Sequence, residues 1–266
     1  MEIRTRTFET RGPVDPARNY VVPRTDQIAD LGKRIKEGRY IVIFAPRQTG
    51  KTTFFQWTLD TLDETYLPIQ LNFEAYEDIS PEEFYACLTD DLRQEIEDAT
   101  QFRQLQNEAA LCQFLESYSI TSHISMKRFF EQLGSYFKNH RLAIIIDEFD
   151  GIPTQVVNQF LHTLRRIYLS RKPNRCPYSV GIVGVKSITQ LNIDRSISPF
   201  NIQDEFALPN FTFPQVQKLL AQYTNEVGQA FAPEVIDNIH KQTAGQPWDT
   251  KNLLAFNFGK ILSPLK

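Results

Sequence analysis

The chain has little of what several protein classes require. Its three cysteines, Cys87, Cys112 and Cys176, are scattered through 266 residues with no C-x-x-C pair. That excludes a disulfide framework and a thiolate metal site, and it suits free thiols in a reducing compartment. Four histidines stand apart from one another and form no metal-ligand pattern. Positive charge is not in excess: the net charge is −3 and the isoelectric point is near 5.9. The basic footprint of a protein that holds nucleic acid by itself is therefore missing. No apolar run reaches the roughly 18 residues that would suggest a membrane span. The N-terminal M-E-I-R-T-R-T-F-E-T has no apolar centre for a signal peptide. Repeats and low-complexity segments are absent as well, so the expectation is a soluble cytoplasmic protein.

What is present is a core. Apolar residues make up 41% of the chain, with 20 phenylalanines and 10 tyrosines, and the length suits one large α/β domain plus a small second one. The chain is organised around R-Y-I-V-I-F-A-P-R-Q-T-G-K-T-T, residues 39–53. Tyr40 to Phe44 is an unbroken apolar run, as in a parallel strand buried on both faces. A six-residue loop follows, and Lys51, Thr52 and Thr53 then open an amphipathic run carrying Phe54, Phe55, Trp57 and Leu62.

Strand, loop and helix put Ala45, Pro46, Arg47, Gln48, Thr49, Gly50, Lys51, Thr52 and Thr53 in the positions of a phosphate-binding P-loop. Backbone N–H groups curl around a phosphate there, and Gly50 lets the chain come close. Lys51 would reach the β- and γ-phosphates, and the Thr52 hydroxyl would ligate Mg²⁺. The helix N-terminus adds its positive dipole. Ala45 stands where the usual pattern has glycine; it adds one methyl group beside the turn.

Around this centre, residues 1–19 are polar and read as an arm, 20–210 as the core, and 211–266 as a helical lid. Thr25 to Lys36 reads as a helix. Thr65 to Phe73 alternates as a strand, and Pro68 inside it puts that strand at a sheet edge. Ser80-Pro81-Glu82-Glu83 starts a helix with Phe84, Leu88, Leu92 and Ile96 on one face. A further helix is expected from Leu105 to Leu115, and another from Met126 to Phe137. Leu142 to Ile146 is a second apolar strand, a long helix follows through Tyr168, and Tyr178 to Val185 and Asp204 to Leu208 complete the strands. Alternating strands and helices imply a parallel sheet covered on both faces. From Thr212 the pattern is helical only, in about three elements.

The second anchor is I-I-I-D-E. Asp147 and Glu148 end an apolar strand about 95 residues after Lys51. Beside a P-loop, Asp147 would hold Mg²⁺, usually through water. Glu148 would orient and deprotonate an attacking water, the alternative being a charge that opens the next helix.

With these motifs placed, the chain resembles AAA+-type P-loop ATPases of the additional-strand class, in particular bacterial AAA-like domain ATPases related to the STAND signalling ATPases and to origin-recognition-type ATPases. The resemblance spans about residues 18–260. It rests on Tyr20-Val21-Val22-Pro23-Arg24, on A-P-R-Q-T-G-K-T-T, on I-I-I-D-E, on Ser198-Pro199-Phe200-Asn201-Ile202 and on Gly245-Gln246-Pro247. It implies a three-layer P-loop fold with strand order 5-1-4-3-2 and a small all-α lid. It also implies that Tyr20 to Arg24, Val22 and Pro23 among them, lie against the adenine and that Pro247 closes the pocket. A sensor would be Lys186 or Ser187, the nearest lid cation after G-Q-P is Lys251, and Arg171, Arg175 or Arg195 could serve a neighbouring copy.

The expected function is ATP binding with slow Mg²⁺-dependent hydrolysis that switches the arrangement of core and lid. The alternatives are an ATP-dependent DNA-transaction factor and a nucleotide-binding scaffold without turnover, with a small-molecule kinase more distant. No DNA-binding or effector segment is recognisable after the lid, so output is expected through a protein partner or self-assembly.

Overall fold

The computed structural model describes residues 6–10, 12, 14–105, 108–137, 139–170, 172–184 and 204–261. Packing divides the chain into two units. A sheet unit holds Ala29–Ala45 and Thr58–Ala207; an arm–loop–lid unit holds Met1–Ile28, Pro46–Trp57 and Leu208–Lys266.

The sheet unit is built on β1 (Tyr40–Phe44), β2 (Tyr66–Asn72), β3 (Arg141–Asp147), β4 (Ser179–Gly184) and β5 (Glu205–Ala207). All pairings are parallel and the order is β2-β3-β4-β1-β5, the expected 5-1-4-3-2 read from the other edge. The two apolar runs take inner positions, as strands without a polar face must. In β3, every residue from Leu142 to Asp147 is buried. The Pro68 strand lies at the edge, where a missing N–H breaks no ladder. On that edge the Gln70 N–H donates instead to Glu95 at 3.2 Å.

Helices cover this sheet. α1 (Thr25–Lys36) and α2 (Lys51–Asp60) each pass from one unit into the other. α3 (Pro81–Phe102) begins where Ser80 Oγ accepts the Glu83 N–H at 3.1 Å, and it buries Phe84, Leu88, Leu92 and Ile96. α4 (Glu108–Ser117) starts and ends a little later than its apolar pattern suggests. α5 (His123–Tyr136) starts earlier than its first buried residue, Met126, because the Ser122–Ser125 capping box sets its origin. α6 (Thr154–Tyr168) packs Val156, Phe160, Leu161 and Leu164 into the core.

The arm–loop–lid unit has its own smaller core. α7 (Phe213–Val227), α8 (Pro233–Thr243) and α9 (Pro247–Ile261) surround Val216, Leu219, Leu220 and Tyr223. Phe8, from the segment read as an arm, and Tyr20, just after it, join the same core with their rings 4.7 Å apart. Arg6 is tied to Glu226 on α7 by an ion pair of 2.8 Å. The side-chain amide of Gln222 pairs with both backbone groups of Val21, at 3.2 and 2.7 Å. The stretch through Val22 is thereby held in register with the lid.

Candidate functional site

β1 and β3 run parallel, so both deliver their last residues to the same edge of the sheet. β1 leads into Ala45, whose N–H continues the ladder to the Gly184 carbonyl at 3.4 Å. β3 ends there in Asp147. The intervening β4 spaces the two chain exits by one strand. Asp147 is buried and Glu148 half-buried. Glu148 adopts a left-handed backbone, φ 48° and ψ 44°, and its N–H donates to the Asp147 carboxylate at 2.9 Å. A non-glycine residue held at positive φ stores of order 1–3 kcal/mol of strain, which turns the chain sharply away from the sheet at this point.

The loop after β1 has the backbone its chemistry requires. Gln48 and Gly50 sit at φ 62° and 79°, so successive N–H groups turn inward as in an anion-binding nest. The Thr49 hydroxyl donates to the Pro46 carbonyl at 2.8 Å and braces the turn. No atom lies within 4 Å of a β-carbon at Gly50; its requirement for glycine is conformational rather than steric. Ala45 and Thr49 are buried, Pro46, Arg47 and Gln48 are exposed, and Lys51 is 9% exposed at the start of α2.

Within the arm–loop–lid unit two adjoining hollows meet this loop. The first is a groove whose floor is Gln48, Gly50, Lys51, Thr52 and Thr53, flanked by Glu9, Thr10, Gly12 and Val14 of the arm and by Trp248. The second is mainly apolar, with Val22, Phe54, Trp57 and Phe211 as its walls. Pro247 and Lys251 line both. A polar groove floored by the loop and an apolar hollow beside it are the two kinds of lining that phosphates and a flat base call for.

The arm is pinned over the groove by two hydrogen bonds. The Val14 N–H donates to Thr53 Oγ1 at 3.1 Å, and Trp248 Nε1 donates to the Thr10 carbonyl at 3.1 Å. Pro247 is positioned by the turn before it. Ala244 and Gly245 are both left-handed, and the Phe211 N–H donates to the Gly245 carbonyl at 2.7 Å. A β-carbon at 245 would collide with the Phe211 carbonyl, so this position admits only glycine. The Gln246 side chain then caps α9 by accepting the Asp249 N–H at 2.6 Å, with Pro247 as the first helical residue.

Of the residues named from the sequence, the loop residues Gln48 to Thr53, together with Val22 and Pro247, line these hollows; Pro23 is exposed and lines neither. Lys186, Ser187, Arg171, Arg195 and the segment 198–202 lie outside the described residues. Arg175 donates to three backbone carbonyls of the sheet unit and is thus committed within its own chain. Sequence reasoning missed Phe54, Trp57 and Phe211 as walls of the site, because each reads equally well as helix or lid core. It also missed Glu9, Thr10, Gly12 and Val14, whose only sequence signal is the lone Phe8 in a polar stretch.

The hydroxyl of Thr52 and the carboxylate of Asp147 are each, in their own unit, an oxygen ligand of the kind Mg²⁺ takes. Among the described residues no group of three His, Cys, Asp or Glu could hold a metal without a ligand's help, and no helix is long and apolar enough to cross a membrane.

A family profile described as an AAA-like domain matches residues 10–257. A comparison with curated proteins found no match. Among solved structures, a Walker-type ATPase of Pyrococcus abyssi superposes with a TM-score of 0.64 at 15% identity, over 92% of this chain and 69% of that one. Cdc6p of Pyrobaculum aerophilum gives 0.56 at 12% identity, over 95% and 65%. The Aeropyrum pernix Orc1 protein, solved in complex with DNA, gives 0.51 at 15%, over 89% and 59%. This chain spans about two thirds of the length of these proteins, and at such identities the likeness is one of fold.

Proposed function

Because the chain belongs to the AAA-like domain family, a family of P-loop ATPases, we propose that it binds ATP in the two hollows of the arm–loop–lid unit and hydrolyses it slowly. The observation that carries this reading is the loop from Ala45 to Thr53. Its two left-handed residues turn the backbone donors inward, and Lys51 stands at the head of α2 in the groove. In this reading Lys51 holds the β- and γ-phosphates, and Thr52 and Asp147 would hold Mg²⁺, which when bound supplies charge neutralisation at the phosphates. Glu148 takes the proton of a water whose oxygen attacks the γ-phosphorus. The bond to the β–γ bridging oxygen breaks, leaving ADP and phosphate. Val22, Phe54, Trp57 and Phe211 receive the base.

The loop packs with the arm and the lid helices, so occupancy of the loop bears directly on α9. On that ground the nucleotide acts as a switch on the lid, with output through a protein partner or self-assembly. A net charge of −3 argues against direct nucleic-acid binding. The test is single-turnover hydrolysis of ATP in Mg²⁺, with and without duplex DNA. It is accompanied by small-angle scattering and particle mass for the apo and nucleotide-bound forms. Turnover without DNA and a change in scattering profile or mass support the switch. Binding without turnover leaves a scaffold, and turnover that requires DNA leaves a DNA-transaction factor.

A further inference from the structure

The sheet unit has a hollow of its own, about 440 Å³ in volume, at the edge where β3 and β4 begin and opposite the strand end that carries Asp147. Three segments enclose it: α5, the end of α6 and the connection from α6 to β4. Gly134 sets their approach, since a β-carbon there would lie 2.4 Å from the Asn174 carbonyl oxygen. Ile167 and the Cys176 thiol, both buried, give the hollow an apolar floor. The charges around it do not balance. Lys127, on α5, and Lys172, on the connection, share one carboxylate, that of Glu131, at 3.5 and 3.0 Å. Arg166 is exposed and makes no ion pair or hydrogen bond among the described residues. Arg175 spends its terminal nitrogens on backbone carbonyls and buries its Nε without an acceptor, so its charge meets no carboxylate. The dipole of α6 accounts for Arg166 in its last turn. It does not account for Lys127, which lies in the first half of α5, nearer that helix's positive end. Four cations thus line the hollow with one carboxylate, in a chain whose net charge is −3.

We propose that this hollow binds a small multivalent anion, a polycarboxylate or a phosphate compound, at a site separate from the nucleotide's. The charge count sets the class: four cations less one carboxylate call for a ligand with two or three negative charges. Arg166 offers the planar fork that takes a carboxylate or a phosphate through two parallel hydrogen bonds. Glu131 holds Lys127 and Lys172 together as point charges from two walls of the hollow. The apolar floor leaves room for a short carbon skeleton, and the volume falls within the roughly 300–1,000 Å³ of small-molecule sites. No residue of the hollow belongs to the loop after β1 or to the lid, so the inference stands apart from the nucleotide reading.

The experiment is calorimetry of the full chain, at low ionic strength and without nucleotide, with citrate and with inorganic pyrophosphate. At least one of the two should saturate the hollow at one site per chain, with affinity falling as NaCl is raised. Arg166→Gln should weaken that binding about tenfold to a hundredfold, the value of a charge-assisted contact. Lys172→Gln should weaken it less, and Lys33→Gln, which removes an exposed cation of α1 outside the hollow, should leave it unchanged. Arg166 and Lys172 are both exposed, so neither variant should melt below wild type. Pyrophosphate has a second seat on the loop after β1: binding that survives in Arg166→Gln reports the loop, and binding lost there reports the hollow. Loss confined to citrate identifies a polycarboxylate as the ligand, and loss confined to pyrophosphate a phosphate compound. The proposal is overturned if a folded wild type saturates with neither anion, or if Arg166→Gln and Lys172→Gln leave both affinities unchanged. It is overturned equally if Lys33→Gln weakens binding as much as Arg166→Gln does, since the effect is then one of overall charge.

Discussion

Arg175 in the sheet unit and Arg24 in the arm–loop–lid unit withdraw a guanidinium from water in opposite ways. Arg175 donates to the carbonyls of Gly38 and Tyr178 at 2.7 Å each and of Tyr168 at 3.2 Å, and it lies against the rings of Tyr40, Tyr168 and Tyr178. Arg24 has one ring beside it and no acceptor for its terminal nitrogens, and burial alone lowers its pKa to about 10. The difference separates a guanidinium whose terminal nitrogens the fold satisfies from one whose terminal nitrogens it does not. In the sheet unit the terminal nitrogens of Arg175 find backbone acceptors, and a broad apolar core supplies the stability.

Substitutions can break that comparison, and the largest effect is expected at the sheet edge. Glu148→Gln keeps size and hydrogen bonding but removes the base. Hydrolysis should fall by roughly 10²–10⁴-fold with ATP affinity retained, measured in single turnovers. Asp147→Asn should weaken Mg²⁺-dependent binding as well as turnover. A Glu148→Gln enzyme that turns over like wild type would remove Glu148 as the base. Lys51→Ala, in the other unit, should instead act on binding, lowering ATP affinity by about a hundredfold or more while the fold stays intact. Calorimetry on a folded Lys51→Ala protein with unaltered affinity would mean that the loop is not the phosphate site.

A sharper version exchanges the two arginines. Arg175→Ala strands three backbone carbonyls and should destabilise the protein by about 2–4 kcal/mol, with nucleotide affinity unmoved. Arg24→Met removes an unpaired charge and should leave the empty protein within about 1 kcal/mol of wild type or above it, at the expense of affinity. Denaturant titrations and calorimetry on both variants check the contrast; equal losses of stability would abolish it.

The smallest effect expected is a pH dependence. The pKa of Lys251 is near 8 in the folded protein against 10.5 for an ordinary lysine. Between these values the unfolded chain keeps a proton that the folded chain has lost, so raising the pH favours the folded state. Wild type should therefore be least stable relative to Lys251→Met below pH 8, and the gap should narrow towards pH 10.5. Parallel thermal melts across that range would show it, and a gap independent of pH would place the lysine's charge in water.

Much of the architecture was legible because local signals and burial agree. An apolar run of five residues can only be an inner strand, and Pro68 can only serve at an edge. Ser80-Pro81 starts a helix whatever lies around it. The loop from Ala45 to Thr53 was equally legible, since its function depends on backbone shape and on residues adjacent in sequence. The base hollow was not. Phe54 and Trp57 carry the same apolar signal as any buried helix face, and Phe211 that of any lid residue. Pro23, next to Val22 in sequence, turned outward while its neighbour turned in.

By itself, then, the sequence determined the strand order's ingredients, the turn from Ala45 to Thr53 and the carboxylates at the end of β3, all features written in contiguous residues and short periods. Only the tertiary structure decided that the arm packs over the groove and that the loop packs with the lid. It alone decided that Arg24 and Lys251, 227 positions apart, line the same hollow while the terminal nitrogens of Arg175 donate to three backbone carbonyls elsewhere. The physical reason is that a charge's partner, or its lack of one, is set by distances across the fold, and no local pattern of residues encodes those distances.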